Sequence, residues 1–383
     1  MNRYDNMNIL LSIDSFKDCL TSKQAGDELL KGLKKYSNDF NIKNIPIADG
    51  GEGTVYSLVE ATKGKLCSVQ VKDPLMRNVK ADYGISGDKS TAFIEMAAAS
   101  GIELLKREER NPWNTTTFGT GELILDALNR GCRRFIIGIG GSATNDGGIG
   151  MATAIGARFI NNNGEKILTG GELQDLSSID LSALDERVSE SEFIVACDVS
   201  NPLTGRNGAS YVYASQKGAY GAMVRNLDLN LIRLAEIIFR DTGIEVDKIP
   251  GSGAAGGLGG GLMAFLGATL KNGFEIVRNE IDLDKYCRWA DVVITGEGKL
   301  DNQTKFGKAP FGVMNCAKKY NKPVFAIAGL LGDGYMELFD EGFDGIYPIS
   351  EKTLPLEESI IRAPELIKNL GEKLGQILKE RFK

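Results

Sequence analysis

The sequence predicts an α/β protein of more than one domain, on three observations. Short aliphatic runs alternate with amphipathic segments, the rhythm of strands and helices around a parallel sheet. Several of these runs empty into polar, glycine-rich turns; in Gly138–Gly150, directly after Arg134–Ile137, six of thirteen residues are glycine. Between Leu66 and Met96 the pattern changes to apolar/polar alternation, the mark of antiparallel pairing. A length of 383 residues sets a prior of two or three domains.

The elements follow in order. Asn8–Ile13 is a buried first strand, and Thr21 with Gln24 three residues on forms a capping box. The helix it opens carries Leu29, Leu30 and Leu33 on its apolar face. Ile42–Ala48 reads as the second strand and Thr54–Ala61 as a helix closed by Gly64. Val69, Val71, Val79, Ala81, Tyr83 and Ile85 alternate with polar residues, interrupted at Asp73-Pro74 and Gly87-Asp88. Thr120–Asn129 is a helix stopped by Gly131, Phe135–Ile139 a strand, and Gly150–Ala157 a helix of small residues. Phe193–Cys197 is another buried strand and Leu227–Arg240 an amphipathic helix. The last third returns to a doubly wound rhythm, through Asp291–Thr295, Pro310–Tyr320, Val324–Ala328, Gly345–Pro348 and a terminal helix Ala363–Arg381. Residues 1–75 and 286–383 are therefore expected to join into one doubly wound domain. Residues 76–285 are expected to form an inserted α/β domain with an antiparallel portion.

Composition removes several chemistries. Forty-five basic against 51 acidic residues give a net charge of −6 without long runs of either sign, unlike the basic face of a nucleic-acid binder. Histidine is absent, which excludes Ser-His-Asp and Cys-His nucleophiles and histidine-bearing zinc sites. Proton transfer is left to Asp, Glu, Lys, Tyr or Cys, and a bound metal is expected to be a hard, oxygen-liganded ion such as Mg²⁺. The six cysteines are dispersed without a C-x-x-C pair, as expected of reduced thiols in the cytoplasm. Met1–Asn8 lacks the apolar core of a signal peptide. The longest uncharged stretch, Ile249–Leu270, is too rich in glycine to read as a membrane span.

Polar residues gather just after the strands, where open parallel sheets bind ligands. Asp14-Ser15-Phe16-Lys17 follows the first, Asp49-Gly50-Gly51-Glu52-Gly53 the second, and Asp198 with Asn201 the strand ending at Cys197. Thr295-Gly296-Glu297-Gly298-Lys299, with Asp301 and Lys308 beyond, follows another. A single carboxylate after a strand is often only a helix cap; four such clusters ask for a ligand. Phosphoryl transfer needs backbone donors and lysines around phosphates, carboxylates for Mg²⁺, and an Asp or Glu to take a hydroxyl proton. Gly138-x-Gly140-x-x-Ala143 follows a strand, and Gly251-x-Gly253-x-x-Gly256 matches the dinucleotide pattern literally. The first lacks the acidic residue about 20 positions on and the second follows Pro250, so each alone is weak. Either loop could also be architectural, letting backbone pack against backbone. No G-x-x-x-x-G-K-[ST] occurs, which excludes an ordinary P-loop kinase.

Taken together, IDSFKDCLTSKQA, PIADGGEGT, FGTGELILDAL, GIGGSATNDGGIGMATAIGARF, ACDVSNPLTGRNGAS with QKGA, GSGAAGGLGGGL, ADVVITGEGKLDNQT and GKAPFGV resemble the type-1 glycerate kinases in order and over nearly the whole chain. The resemblance implies ATP-dependent phosphorylation of D-glycerate with Mg²⁺, the 2-phospho product being favoured. It also implies two α/β domains, one flavodoxin-like and one Rossmann-like, with a cleft between them. Asp18-Cys19 departs from the glycine and small residue more usual after S-F-K.

On this reading Gly140, Gly141, Ser142 and Asn145, with Gly253, Gly256 and Gly257, would cradle nucleotide phosphates or the transferred group. Asp198 and Asp301 would hold Mg²⁺ or take the proton. Lys17 would pair with the glycerate carboxylate or the moving phosphoryl group, while Asp49 and Glu297 would orient hydroxyls or support the metal. Two other classes stay open: a nicotinamide-dependent oxidoreductase using the G-x-G loops, and a non-catalytic ligand-binding protein. Partners other than ATP and glycerate, nucleic acid and membrane included, are not expected.

Overall fold

A computed structural model describes residues 6–17, 19–51, 53–350 and 354–382. The chain is a mixed α/β protein that divides into two compact units, one of residues 1–49 and 274–383 and the other of residues 50–273. The change in strand pattern had suggested divisions near 75 and 285. The hairpin Lys65–Lys72/Asn78–Ile85 instead forms the edge of the sheet in the second unit, so the division precedes it. Phe274 belongs to the first unit because its ring packs over Gly312 in helix Ala309–Lys318.

In the first unit five parallel strands lie in the order 345–348, 324–331, 292–300, 8–13, 41–44. Asn8–Ile13 is an inner strand, in register with Val292–Gly296 on one side and Asn41–Asn44 on the other. The second strand is shorter than the Ile42–Ala48 expected, because Pro46 has no N–H for the ladder. The chain still runs beside the first strand, with Ile45 N bonded to Leu11 O at 2.8 Å and the Ser22 hydroxyl donating to Ile47 O at 3.0 Å. Strand order reverses between 8–13 and 292–300, a topological switch point.

One face of this sheet, with Ile9, Leu11, Ile13, Ile294, Phe325 and Ile327, packs on helices Ser22–Tyr36 and Leu356–Arg381. Gly32 and Gly371 bring these helices to backbone contact: a Cβ on Gly32 would stand 2.0 Å from Lys368 O. The Thr21–Gln24 capping box forms as expected, a device worth about 1 kcal/mol. The other face carries Ser12, Asp14, Thr295 and Glu297 and is covered by helix Ala309–Lys318.

The second unit has a six-stranded sheet in the order 269–271, 192–196, 134–138, 91–95, 78–85, 65–72. The first four strands run parallel and the last two antiparallel. A two-stranded ribbon, Arg158–Asn161 with Leu176–Asp180, stands apart from it. Phe135 and Phe193 stack at 4.6 Å within a continuous apolar core. No helix among the described residues is long and apolar enough to cross a membrane.

Candidate active site

Parallel strands deliver their following residues to one edge of the sheet, and in the first unit that edge gathers acids. Asp14 follows the first strand, its N–H bonded to Gly296 O at 2.8 Å, and Glu297 sits one residue beyond Gly296. Asp49 arrives at the end of the extended segment beside the first strand. Asp14 is 9% exposed. Burial first, then the negative fields of Asp49 and Glu297, push its carboxyl well above the usual range, against a Ser15 N–H that favours the ion. Glu297 is also raised by burial. It is opposed by Lys308, whose Nζ lies 3.4 Å from Glu297 Oε2, and by the Thr304 hydroxyl, which donates to Oε1 at 2.9 Å.

Asp301 stands beside this group but is differently employed. Its Oδ2 meets Lys299 Nζ at 2.9 Å and its Oδ1 accepts the Gln303 N–H at 3.0 Å, so Lys299 holds it below the usual carboxylate range. Lys308 reaches it at 3.9 Å. Lys17 is exposed at the turn that closes with Phe16 N bonded to Leu20 O. Asp18 and Glu52, within motifs noted above, lie outside the described residues.

The sequence-derived residues of the second unit separate into two kinds. Gly253, Gly256 and Gly257 are buried, and their missing side chains are accounted for by neighbouring backbone. A Cβ on Gly253 would lie 2.1 Å from Pro202 O, one on Gly256 2.0 Å from Thr144 O, and one on Gly257 2.9 Å from Gly147 Cα. The two glycine loops are thus each other's partners, joined by Gly147 N to Gly256 O at 3.0 Å. No strand leads into residues 251–256, so the literal dinucleotide pattern there lacks its structural context and the nicotinamide reading finds no support.

Gly140 differs. It is exposed at the end of strand Arg134–Gly138, its φ is not left-handed, and a Cβ there would meet nothing within 4 Å. Gly141, also exposed, has φ +72°. Nothing inside the fold requires glycine at 140, whereas an approaching anion would. From Ser142 onward the loop is buried. Asp146, wholly buried, accepts the Thr117 N–H and hydroxyl at 2.8 Å each and the N–H groups of Gly148 and Gly150 at 3.2 and 3.3 Å. Burial raises its proton affinity against these donors, and it ties the loop into the fold. Asn145 donates to Ser210 Oγ at 3.0 Å, while Asn145 Oδ1 and Thr144 Oγ1 are buried without partners.

Asp198 follows the strand paired beside 134–138 and is exposed. Its Oδ1 accepts Asn272 Nδ2 at 2.5 Å and Gly273 N at 2.9 Å. Among the described residues no three carboxylates or thiolates converge to cage an ion unaided. The six cysteines are unpaired. Asp14 and Lys217 both lie in strings quoted above, the second in QKGA, yet neither has an expected role; Lys217 is 2% exposed beneath the glycine loop. A strand-end acid is the signal for Asp14; the signal for Lys217 is its place in QKGA, with nothing local to mark it as buried.

A model of the glycerate kinase family matches residues 9–379. The chain is 47% identical to a glycerate kinase of Halalkalibacterium halodurans, over 96% of this chain and 97% of that one. It is 48% identical to the glycerate 2-kinase of Escherichia coli, over 92% and 93% of the two chains. A solved structure assigned to a glycerate kinase 2 of Salmonella typhimurium LT2 superposes with TM-score 0.91 at 45% identity, covering 98% of this chain and 99% of that one.

Proposed function

The chain belongs to the glycerate kinase family, and from that premise we propose that it transfers the terminal phosphoryl group of ATP to the 2-hydroxyl of D-glycerate, with Mg²⁺ accompanying the nucleotide. The observation that carries the chemistry is the group Asp14, Asp49 and Glu297 at the switch point of the first sheet, where burial and mutual repulsion raise the proton affinity of Asp14. A carboxylate that binds protons more tightly than usual accepts the proton of an attacking hydroxyl more readily. Asp49 and Glu297 hold the substrate hydroxyls in place, and Lys308, 3.4 Å from Glu297, supplies positive charge beside them. Lys17 pairs with the glycerate carboxylate or the moving phosphoryl group.

In the second unit, the open backbone at Gly140 and Gly141 with Ser142 and Asn145 receives anionic oxygens, as glycine turns after parallel strands do. Gly253, Gly256 and Gly257 contribute by supporting that turn from behind. Nucleotide-bound Mg²⁺ takes one or two carboxylates and fills its other positions with phosphate and water; Asp301 of the first unit or Asp198 of the second would supply such a carboxylate. The ion would neutralise charge on the phosphate oxygens. The name of the Escherichia coli relative supports the 2-hydroxyl as acceptor.

A coupled assay of ADP release with ATP, Mg²⁺ and D-glycerate tests the reading. Glycerate-dependent ADP formation is expected, and it falls at least about 100-fold in Asp14→Asn if that carboxylate takes the proton. ADP release that ignores glycerate overturns it.

A further inference from the structure

Lys217 is a buried lysine for which the chemistry above has no use. It ends the short turn Ser215–Lys217, followed by Gly218 at φ +101°, where any Cβ would meet Arg110 O at 2.0 Å. The side chain runs inward and is 2% exposed, with Nζ 2.6 Å from Ser142 Oγ and 2.7 Å from the carbonyl of Thr144. Both partners belong to the glycine loop. Asp146 exerts a favourable field on the amine but no ion pair between them is formed among the described residues; Asp146 is held by Thr117, Gly148 and Gly150.

The direction of the Ser142 bond matters. A lysine nitrogen bonded to a hydroxyl and a carbonyl donates to both, so the Ser142 oxygen is an acceptor. Its own proton has no acceptor among the described residues, although the residue is only 8% exposed. Thr144 Oγ1 and Asn145 Oδ1, the next polar side chains along the loop, are buried without partners as well. A fold that satisfies Asp146 with at least four donors yet leaves three neighbouring polar groups incomplete has left them for something else. Gly140 and Gly141, immediately before Ser142, form the exposed mouth of the same turn.

We propose that Lys217 is a positioning residue: by donating to Ser142 Oγ it fixes the hydroxyl so that its proton faces the mouth of the glycine loop and donates to an anionic oxygen of the bound substrate. The inference rests on the kinase reading for the identity of that oxygen, either a phosphate of ATP or the carboxylate of glycerate. It adds a role that neither the loop glycines nor the strand-end acids perform. A hydroxyl whose oxygen already accepts a bond is a polarised donor. Removing a hydrogen bond to a charged group is read as a loss of about tenfold to 100-fold in affinity.

A double-mutant cycle measured by calorimetric binding separates this role from mere support. ATP with Mg²⁺ and D-glycerate are titrated separately into the full chain and into Lys217→Met, Ser142→Ala and the double variant. Each single variant is expected to weaken the same one of the two ligands about tenfold or more, and the double variant to weaken it no further. Which ligand responds identifies the oxygen. Melting temperature, read for all variants at one pH, is expected to hold in Ser142→Ala. Single effects that multiply in the double variant, or a lowered melting temperature with both affinities unchanged, would overturn the proposal. Ser142→Ala keeps the amine and its bond to Thr144, so it decides alone if Lys217→Met does not fold: unchanged affinity for both ligands refutes. Binding with no glycerate-dependent turnover in the unaltered chain defeats the kinase reading while leaving the Lys217 test intact.

Discussion

Substituting alanine at Gly140 and at Gly256 distinguishes a glycine kept for a ligand from one kept for packing. At Gly140 the backbone is not left-handed and an added Cβ has no heavy atom within 4 Å. Gly140→Ala should therefore leave the fold intact or stabilise it by about 0.4–1 kcal/mol through the unfolded chain, a rise in Tm of at most about 4 °C for a unit of this size. At Gly256 the same methyl would stand 2.0 Å from Thr144 O and 2.7 Å from Asn145 Cα, at φ +71°. A left-handed residue costs about 1–2 kcal/mol and overpacking about 1–3 kcal/mol more. Gly256→Ala should accordingly lower Tm by roughly 5–15 °C. Activity should order them differently. A methyl at 140 displaces whatever anionic group approaches the backbone there, and a misplacement of about 1 Å can cost 100-fold in rate. Thermal unfolding by circular dichroism, alongside kcat/KM for glycerate-dependent ADP formation, reads both quantities. Gly140→Ala with unaltered kcat/KM, or with a Tm loss matching that of Gly256→Ala, would refute the reasoning.

Other perturbations follow from the same geometry. Because the folded state raises the Asp14 proton affinity, the ionised form burdens the fold at high pH and the burden vanishes below the unfolded carboxylate range; Asp14→Asn should raise Tm at pH 8, by less at pH 4, while abolishing most activity, and a gain independent of pH would contradict this. Lys217 has the opposite sign: its amine is lowered from 10.5 to about 7. Above pH 7 the unfolded chain binds a proton that the folded chain does not, so stability relative to Lys217→Met should climb between pH 7 and 10.5, by up to about 5 kcal/mol; urea melts across that range check it. Lys308→Met removes the cation that opposes Glu297's rise, and the acidic limb of the pH–rate profile should move to higher pH. Asp146→Asn leaves donors from Thr117, Gly148 or Gly150 unmatched and should cost about 2–4 kcal/mol in denaturant unfolding.

Features with local causes were legible in the sequence. The Thr21–Gln24 box, strand Asn8–Ile13 and helix Thr54–Ala61 each follow from a few neighbouring residues, and the structure has all three. The alternation from Val69 to Ile85 announced antiparallel pairing, which occurs between 65–72 and 78–85. Strand-end acids could be read as a class, since Asp14, Asp49 and Glu297 each close an aliphatic segment. Their gathering could not be read, because it depends on which strands become neighbours across 280 residues of chain. Gly253 and Gly256 look like phosphate glycines in sequence, yet tertiary contact with Pro202 and Thr144 gives a reason internal to the fold. Gly140 looked no different from them until the space around it was known. Lys217 carries no local mark of burial, as a lysine after a short helical turn ordinarily faces water.

The most direct measurement is ³¹P nuclear magnetic resonance of the products formed from ATP, Mg²⁺ and D-glycerate by the full chain. Phosphoryl transfer to the 2-hydroxyl gives a phosphomonoester resonance coupled to the single proton on C2, growing in step with ADP. Inorganic phosphate alone, or an ATP spectrum unchanged by glycerate, would contradict the assignment of this chain as a kinase acting on glycerate; coupling to two protons would keep the kinase and move the acceptor to the 3-hydroxyl.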